Sequence, residues 1–237
     1  MCGRFTIDTD YETIKEQFGI HQIEPLPNSF NVAPTETALC LMNTNDGLEA
    51  VQMRWGIVPW YAKEKKNALL INARAETVGE KPAFRQSLRY RRCIMLMSGF
   101  FEWQHHQAQE KTIKQPYYIT RADKKLMAVA AIWEKFKPEP EIIIPSCCVL
   151  TTTPNELVSK LHDRMPWILT DEQLQDWLAP SEFTQGDLND VMHHDKKIEL
   201  ICYPVTPAVN SALYKEKDAI LPLQTFKNVR PKCPSSP

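Results

Sequence analysis

The chain has 237 residues, of which 43% are hydrophobic and 24% are charged, and its formal net charge is −1. This length suits one large domain or two small ones, and the apolar content is enough for a core without disulfide bridges. No apolar run approaches the roughly 20 residues that cross a bilayer, and the first residues lack the apolar stretch of a secretory signal. We therefore expect a cytoplasmic protein that does not cross a membrane.

Periodicity and turn residues predict the elements of the first half of the chain. Two helices and two strands are predicted there, over 11–18, 82–92, 37–42 and 49–55. The first helix has candidate N-caps among Asp8–Asp10. The second would place Arg85, Arg89 and Arg92 on one face, because they are spaced at i, i+4 and i+7.

The second half of the chain is typical of short strands with a few short helices. Strands are predicted over 92–98, 100–104, 117–120, 126–133, 147–152 and 200–205. Helices are predicted over 155–161 and 171–178, the latter with Thr170 as its N-cap. This mixture predicts an α+β fold, a single domain with a mainly antiparallel, strongly curved, barrel-like sheet and short flanking helices. The domain is expected to span 1–223, with 224–237 as a flexible tail.

Basic residues are concentrated in one part of the sequence. The segment 54–92 holds ten basic and three acidic residues, a net charge of +7 in a chain whose total is −1. Such a segment favours an anionic partner. The alternative is a solvated face whose counter-charges come from elsewhere in the fold.

Cys2 becomes the amino-terminal residue once Met1 is removed, which aminopeptidases do when the next residue is small. A terminal cysteine can condense with an aldehyde through its amine to an imine, and its thiol can then close a thiazolidine ring. The α-amine has a pKa near 7.7–8, so about a tenth of it is neutral at pH 7. The same terminus also fits an amidohydrolase in which the thiol is the nucleophile and the amine its base.

Three further residues could assist chemistry at such a terminus. Glu102 lies between two aromatic residues, whose apolar surroundings would raise its pKa, although alternation along a strand leaves a solvent-facing position open. His162 has the side chain best suited to proton transfer at neutral pH, but a capping or core histidine is equally compatible with the sequence. Asn72 offers an amide that could hold the amine or a sugar hydroxyl.

Several basic and aromatic residues could bind a nucleic acid. Arg74 and Arg164 could bind phosphates. Trp60 and Tyr61, in a lysine-rich loop, could stack on bases, although such a pair is more often buried in a core.

The sequence lacks the patterns of metal and cofactor sites. The seven cysteines include no C-x-x-C pair, and His105-His106 and His193-His194 have no ligand spacing, so we predict that both pairs lie on the surface. There is also no Gly-rich phosphate loop. We expect no metal and no cofactor, and four internal cysteines are predicted to be small core residues: Cys93, Cys147, Cys148 and Cys202.

Five short motifs, in this order, resemble those of the SRAP family, the SOS-response-associated peptidase-like proteins that process abasic sites. The motifs are MCGRF (1–5), FNVAP (30–34), INARAE (71–76), GFFEW (99–103) and HDRMP (162–166). The resemblance extends from Cys2 to about Leu223, and the segment 203–210 adds to it.

The resemblance implies a protein that recognises abasic sites in single-stranded DNA and captures the aldehyde as a thiazolidine crosslink through Cys2, shielding the lesion in the DNA damage response. Asn72 would position the cysteine and the sugar, Glu102 would manage protons, and His162 would assist ring opening. The residues implied to contact DNA are Arg4, Asn31, Pro34, Trp60, Tyr61, Arg74, Thr151 and Arg164. Tyr61 stands where close relatives are expected to have a second tryptophan, a change that preserves stacking.

The expected partner is single-stranded DNA with an abasic site, and the expected state is a monomer that associates with the nucleoid when bound to DNA. Lyase-like imine chemistry, and the thiol autopeptidase activity attributed to the family, are both compatible with this terminus. Two other functions stay open, namely a thiol amidohydrolase or peptidase that uses Cys2, and a simple DNA-binding module in which Cys2 is idle.

Overall fold

The computed structural model describes residues 2–20, 27–59, 61, 69–108, 111–139, 141–193 and 198–223. The strands in this part of the chain are β1 (Phe5–Ile7), β2 (Ser29–Val32), β3 (Thr37–Thr44), β4 (Gly47–Trp55), β5 (Asn72–Arg74), β6 (Arg92–Met97), β7 (Gly99–Ala108), β8 (Lys111–Arg121), β9 (Met127–Glu139), β10 (Ile142–Thr152), β11 (Met165–Pro166) and β12 (Leu200–Pro204). The α-helices there are α1 (Tyr11–Phe18), α2 (Arg85–Tyr90), α3 (Asp171–Leu178) and α4 (Gln185–Met192).

Five strands close into a barrel. The ring runs β10, β4, β3, β6 and β9, and β9 pairs again with β10. All of these pairings are antiparallel except that of β10 with β4. The short strand β5 pairs in parallel with β10, beyond the end of β4. Closure leaves the barrel strands without free edges over their paired length.

A second sheet lies beside the barrel and is antiparallel throughout. Its strand order is β12, β8, β7, β1 and β2, so the first strand of the chain lies inside the sheet rather than at its edge. This architecture confirms the predicted α+β class with a mainly antiparallel, curved and barrel-like sheet. Among the described residues, no helix is long and apolar enough to span a membrane.

Local sequence signals account for the helix ends. The side chain of Asp10 accepts a hydrogen bond from the Thr13 amide, and Gly19 ends α1 in the left-handed conformation with φ 69°. Helix α3 has the predicted bounds, and Thr170 and Gln173 form a reciprocal capping box at its start.

The predicted helix over 82–92 is too long, and the common face of its three arginines is wrong. The helix α2 ends at Tyr90, and Arg92 begins β6. The Arg92 side chain is buried, and its guanidinium donates to backbone carbonyls that include those of Trp177 and Leu88. Pairing of β6 with β9 requires extended backbone here, which overrides the helical pattern.

One other predicted helix needs correction, and several elements were not predicted. The predicted helix over 155–161 is only a 3-10 turn, Val158–Lys160. Helix α4 and strand β2 were not predicted. The sequence does carry a signal for α4, because Thr184 and Asp187 form a capping box at its start.

Part of the basic segment is neutralised within the fold. Arg89 pairs with Glu182, and Arg91 pairs with Glu134. Acidic residues from elsewhere in the chain thus supply counter-charges, as the second interpretation of the segment anticipated. The three lysines at 63, 65 and 66 lie outside the described residues.

The predicted core cysteines are buried. Cys93, Cys147 and Cys148 have no exposed surface, and Cys202 is 6% exposed. The Sγ atoms of Cys40 and Cys147 lie 3.8 Å apart in the barrel interior.

Candidate active site

Cys2 lies in the interior, directly before β1. Its side chain has no exposed surface, and its backbone carbonyl accepts a hydrogen bond of 2.9 Å from Nδ2 of Asn72. Asn72 begins β5, which β10 holds in register, so the barrel positions the amide that fixes the amino-terminal residue. The other amide atom, Asn72 Oδ1, is buried without a hydrogen-bond partner in the part of the chain that the structure describes. That oxygen can accept a bond from an incoming N–H or hydroxyl group.

An open cavity of about 420 Å³ adjoins this terminus. It is lined by Glu102, Trp103, His105, Lys114, His162 and Asn210. Two of the three residues predicted to assist Cys2, Glu102 and His162, therefore face one space, and the third holds Cys2 itself.

Glu102 lies on β7, and both faces of this strand are covered. Phe100 packs in the main core, and Phe101 packs in a second apolar cluster with Tyr118. The expected alternation is present, but it does not expose Glu102, which is only 2% accessible. Burial raises the pKa of its carboxyl group to about 7, while the positive charge of the amino terminus opposes the rise.

The pKa of the Cys2 thiol is raised, whereas reactive cysteines have a lowered pKa. Burial raises its pKa well above the usual value, and the charge of Glu102 raises it further. The thiol is therefore neutral near pH 7, and a reaction at sulfur requires a base at hand. The Glu102 carboxylate is such a base.

His162 follows the 3-10 turn Val158–Lys160. Its Nδ1 atom lies 3.0 Å from the Arg164 amide nitrogen and 2.7 Å from Oδ1 of Asp163. A protonated Nδ1 would donate to the Asp163 carboxylate, and an unprotonated Nδ1 would accept a hydrogen bond from the Arg164 amide. Burial lowers the pKa of His162 and Asp163 is 82% exposed, so we assign a neutral imidazole that accepts the amide and carries its proton on Nε2.

Arg164 is held in a fixed orientation. Its Nη1 and Nη2 atoms donate to the two carboxylate oxygens of Glu76 at 2.8 and 2.7 Å, and Nη2 also donates to the Thr151 carbonyl. The hydrogen bond to Arg164 lowers the pKa of Glu76. Thr151 is itself buried, and its hydroxyl donates to the Ala73 carbonyl. Thr151 is thus a buried residue that contacts Arg164 through its carbonyl. Arg74, at the end of β5, is exposed.

Arg4 and Asn31 form hydrogen bonds to residues 207–215, the C-terminal segment, and neither residue lines the cavity. Asn31 is fully buried, and its Nδ2 shares two protons among the carbonyls of Val209, Ser211 and Tyr214. Arg4 Nη1 donates to Oδ1 of Asn31 at 3.2 Å and to the Val209 carbonyl at 3.0 Å.

The remaining predicted contacts are placed less directly. Pro34 is half-buried in a tight turn whose next residue, Thr35, has φ 79°. Tyr61 is 54% exposed, and Trp60 lies outside the described residues.

Four residues at the cavity were missed or misjudged from the sequence. Trp103 donates from Nε1 to Oδ1 of Asn210 at 2.5 Å, so the segment 207–210 forms one wall. His105 is exposed, as predicted, but it lies at the cavity, directly opposite Lys114 in the β7–β8 ladder. Only strand register brings His105 and Lys114 together, so motif spacing could not have found this pair.

No cluster of three or more potential metal ligands occurs among the described residues. The site is built instead from an amino-terminal cysteine, an amide, a carboxyl group and an imidazole. Residues 1–212 match the family model described as SOS response associated peptidase, SRAP. The chain belongs to the SRAP family.

Curated relatives extend this SRAP assignment along most of the chain. The protein named "Abasic site processing protein YoqW" from Bacillus subtilis (strain 168) is 37% identical over 215 residues, which cover 89% of this chain and 95% of that protein. The rat protein named "Abasic site processing protein HMCES" is 28% identical over 214 residues, 78% of this chain and 60% of that protein.

Solved structures share this fold over most of the chain. A crystallised protein from Bacteroides thetaiotaomicron superposes with a TM-score of 0.80 at 22% identity, covering 94% of this chain and all of that chain. A second, from Bordetella bronchiseptica, has a TM-score of 0.70 at 24% identity, covering 86% of this chain and all of that one.

The motifs that carried the SRAP resemblance lie around two places in the structure. Cys2, Asn72, Glu102 and His162 meet at the amino terminus and its cavity. Arg164 and Glu76 form the ion pair beside His162. Asn31 of the FNVAP motif donates a hydrogen bond to the Val209 carbonyl in the C-terminal segment.

Proposed function

We propose that this SRAP protein recognises abasic sites in single-stranded DNA and captures them as a thiazolidine through Cys2 after Met1 is removed. The observation that carries the proposal is the burial of Cys2 beside a carboxyl group whose pKa is about 7. The names of the relatives, which describe abasic site processing, support the same target.

The proposed reaction begins with the open-chain form of the abasic sugar, whose C1′ is an aldehyde. The neutral α-amine of Cys2 attacks C1′ to give a carbinolamine, and loss of water gives the imine. The thiol then adds across the C=N bond: sulfur bonds to C1′, and the thiol proton is transferred to nitrogen. The overall change is aldehyde plus aminothiol to thiazolidine plus one water.

Glu102 suits the proton transfers of this sequence. As the acid it protonates the departing hydroxyl group of the carbinolamine, and as the carboxylate it takes the proton of the Cys2 thiol. A pKa near 7 allows both states at neutral pH. The thiol needs this help because burial keeps it protonated.

His162 and Asn72 would act on the sugar and on the amine. The Nε2–H of a neutral His162 can donate to the ring oxygen of the closed sugar as the ring opens. The buried acceptor Asn72 Oδ1 can orient the α-amine or a sugar hydroxyl group. Arg74 and Arg164 would bind the flanking phosphates.

The amidohydrolase alternative requires the Cys2 thiol itself to attack an acyl carbon. The raised pKa of this thiol makes it a poor nucleophile before deprotonation, whereas the aminothiol reaction begins at the amine. We therefore keep acyl transfer as an outcome of the test.

The test uses tag-free protein, with Met1 removal confirmed by mass spectrometry. The protein is mixed with a single strand carrying one abasic aldehyde, with the same strand carrying a tetrahydrofuran analogue that lacks the aldehyde, and with undamaged DNA. We expect a heat-stable band on a denaturing gel with the aldehyde strand alone, and an adduct mass equal to both components less one water.

The variant Cys2→Ser separates imine formation from ring closure. It keeps the amine but cannot form the thiazolidine, so its crosslink should be lost on heating unless it is first reduced with borohydride. A heat-stable crosslink from Cys2→Ser, or no crosslink from the processed parent, would refute the proposal. Acylation of Cys2 by an amide or ester substrate would then favour the amidohydrolase.

A further inference from the structure

Two basic side chains lie at the cavity, beyond the residues assigned to the chemistry. His105 is on β7, three positions after Glu102, and Lys114 is on β8. Both are exposed, and both line the same cavity as Glu102 and His162.

Strand register directs the two side chains to one place. His105 and Lys114 are direct partners in the antiparallel β7–β8 ladder. Opposite residues in such a pair project from the same face with Cβ atoms about 4.5–5.5 Å apart. An imidazole and an ammonium group can therefore contact a single small anion.

The pair lies farther along β7 and β8 than the carboxyl group of Glu102. His105 is three positions after Glu102 on the strand, a distance of about 10 Å. His105 is nevertheless close enough to oppose protonation of His162, whose pKa is lowered first by burial and also by the charge of His105.

The charges at the cavity also favour an anion. Glu102 is the one carboxyl group among the described lining residues, and it is partly neutral near pH 7. Within the described chain, Lys114 takes part in no ion pair. An ammonium group in this setting is free to pair with a ligand.

We propose that His105 and Lys114 form a phosphate-binding subsite that holds a backbone phosphate of the strand next to the abasic nucleotide. The inference rests on the proposed function, because a DNA strand is the ligand that brings a phosphate to this distance from the lesion. A phosphate bound there would fix the direction in which the strand crosses the cavity.

The test measures equilibrium binding of the strand that carries the tetrahydrofuran analogue, which cannot crosslink. The variants are His105→Gln, Lys114→Gln and the double variant, and the control is Lys125→Gln. Lys125 is an exposed lysine in the turn beyond the opposite end of β8. All three substituted positions are exposed, and circular dichroism would verify that the four variants retain the fold.

We expect the double variant to bind several-fold more weakly at low salt. For a single strand, each lost phosphate contact reduces the slope of log affinity against log salt by about 0.7. The control should keep the slope of the parent. An unchanged slope in the double variant would overturn the subsite.

Chemical substitution of the DNA identifies the phosphate. In a set of strands, one linkage at a time near the lesion is made a neutral methylphosphonate. We expect one linkage at which the parent loses affinity and the double variant does not. If parent and double variant respond alike at every linkage, the subsite is wrong.

Crosslinking of the aldehyde strand by the parent is scored separately. A parent that crosslinks, with variants of unchanged slope, refutes the subsite alone. A parent that does not crosslink, with variants of reduced slope, refutes the Cys2 chemistry and supports the phosphate contact.

Discussion

The Glu102 carboxyl group is buried, and its pKa of about 7 is a consequence of that burial. A carboxyl group with this pKa exchanges protons in both directions at neutral pH. The same burial makes the folded state bind a proton that the unfolded chain releases. The residue therefore couples the proposed chemistry to the stability of the fold.

The first prediction concerns the pH dependence of stability in Glu102→Gln. Between pH 4.5, the ordinary value for this group, and about 7, the folded parent binds more protons than the unfolded chain. The parent's free energy of unfolding therefore falls as the pH rises through this window. Glutamine does not titrate, so the stability of the variant relative to the parent should rise by up to about 3 kcal/mol.

Urea unfolding of both proteins at pH 4.5 and pH 8 checks this prediction. Both proteins share every other titrating group, so the difference between their free energies of unfolding at each pH reports the contribution of Glu102. Parallel stability curves would mean that Glu102 titrates at its ordinary pKa.

The second prediction concerns Arg164→Lys. The guanidinium binds Glu76 through two nitrogens and is only 11% exposed, and a lysine cannot reproduce this fork. We expect a loss of about 1–2 kcal/mol in the free energy of unfolding.

Arg74→Lys is the matched control for Arg164→Lys. It changes the other arginine predicted to bind phosphate, but this one is exposed at the end of β5, so stability should change by less than about 0.5 kcal/mol. Equal effects of the two substitutions on urea unfolding would refute the structural role of the Glu76–Arg164 pair.

At the scale of elements, the C-terminal segment depends on β2 and on the amino terminus. The carbonyls of Val209, Ser211 and Tyr214 all face Asn31, and Lys215 binds the Asn31 carbonyl and Glu36. This segment also supplies Asn210 to the cavity wall. One buried amide thus connects a strand near the start of the chain to a wall of the candidate site.

The third prediction is that Asn31→Ala destabilises the protein by about 2–3 kcal/mol, since it removes the Nδ2 donor of the Ser211 and Tyr214 carbonyls and the Oδ1 acceptor of Arg4, whereas Arg4 and the Val209 carbonyl keep their bond to each other. Asn28→Ala is the control, because Asn28 makes exposed hydrogen bonds to Asp8 and Thr9, and it should cost less than about 1 kcal/mol. Thermal unfolding of the two variants distinguishes them, and similar melting temperatures would contradict the assignment.

At the scale of the whole molecule, the barrel and the elements packed against it form one core that contains several thiols. Cys40, Cys93, Cys147 and Cys148 are free and have no exposed surface. Burial raises the pKa of Cys93, Cys147 and Cys148, and the thiol of Cys40 also has a raised pKa. These thiols are small core side chains rather than reactive groups.

The fourth prediction is that alkylation of these four cysteines reports global unfolding. Because they lie in one closed core, their labelling by a maleimide should follow the same urea midpoint as circular dichroism. Peptide mapping by mass spectrometry gives the extent for each cysteine. Labelling of any of the four well below that midpoint would show that the barrel opens locally.

Elements that depend on neighbours along the chain could be predicted from the sequence. Contacts that depend on strand register or on distant parts of the chain are visible only in the structure. The β3–β4 hairpin and helix α3 were predictable because a polar turn and a capping residue act locally. Arg92 was assigned both to the end of a helix and to the start of a strand, and pairing with β9, a long-range contact, decides for the strand. Likewise, the partner of Arg164 is 88 positions away, and no spacing in the sequence identifies Glu76.

The candidate site was predicted in its residues but not in its environment. The motifs singled out Cys2, Asn72, Glu102 and His162, yet the sequence could not say whether Glu102 faces solvent. By alternation Glu102 shares the face of Phe100, which packs in the main core together with Cys2. His105 and Lys114 became part of the site only through the ladder that joins their strands.

The interior position of β1 sets a time limit on the maturation of the chain. Phe5 pairs with Phe100, and Arg4 bonds to the Val209 carbonyl, so the first residues are enclosed only after much of the chain has left the ribosome. At 5–20 residues per second, synthesis of the hundred residues up to β7 takes on the order of ten seconds. An aminopeptidase needs an extended, accessible terminus, whereas Cys2 is fully buried in the folded protein. The proposed excision of Met1 is therefore expected while the nascent chain is still open.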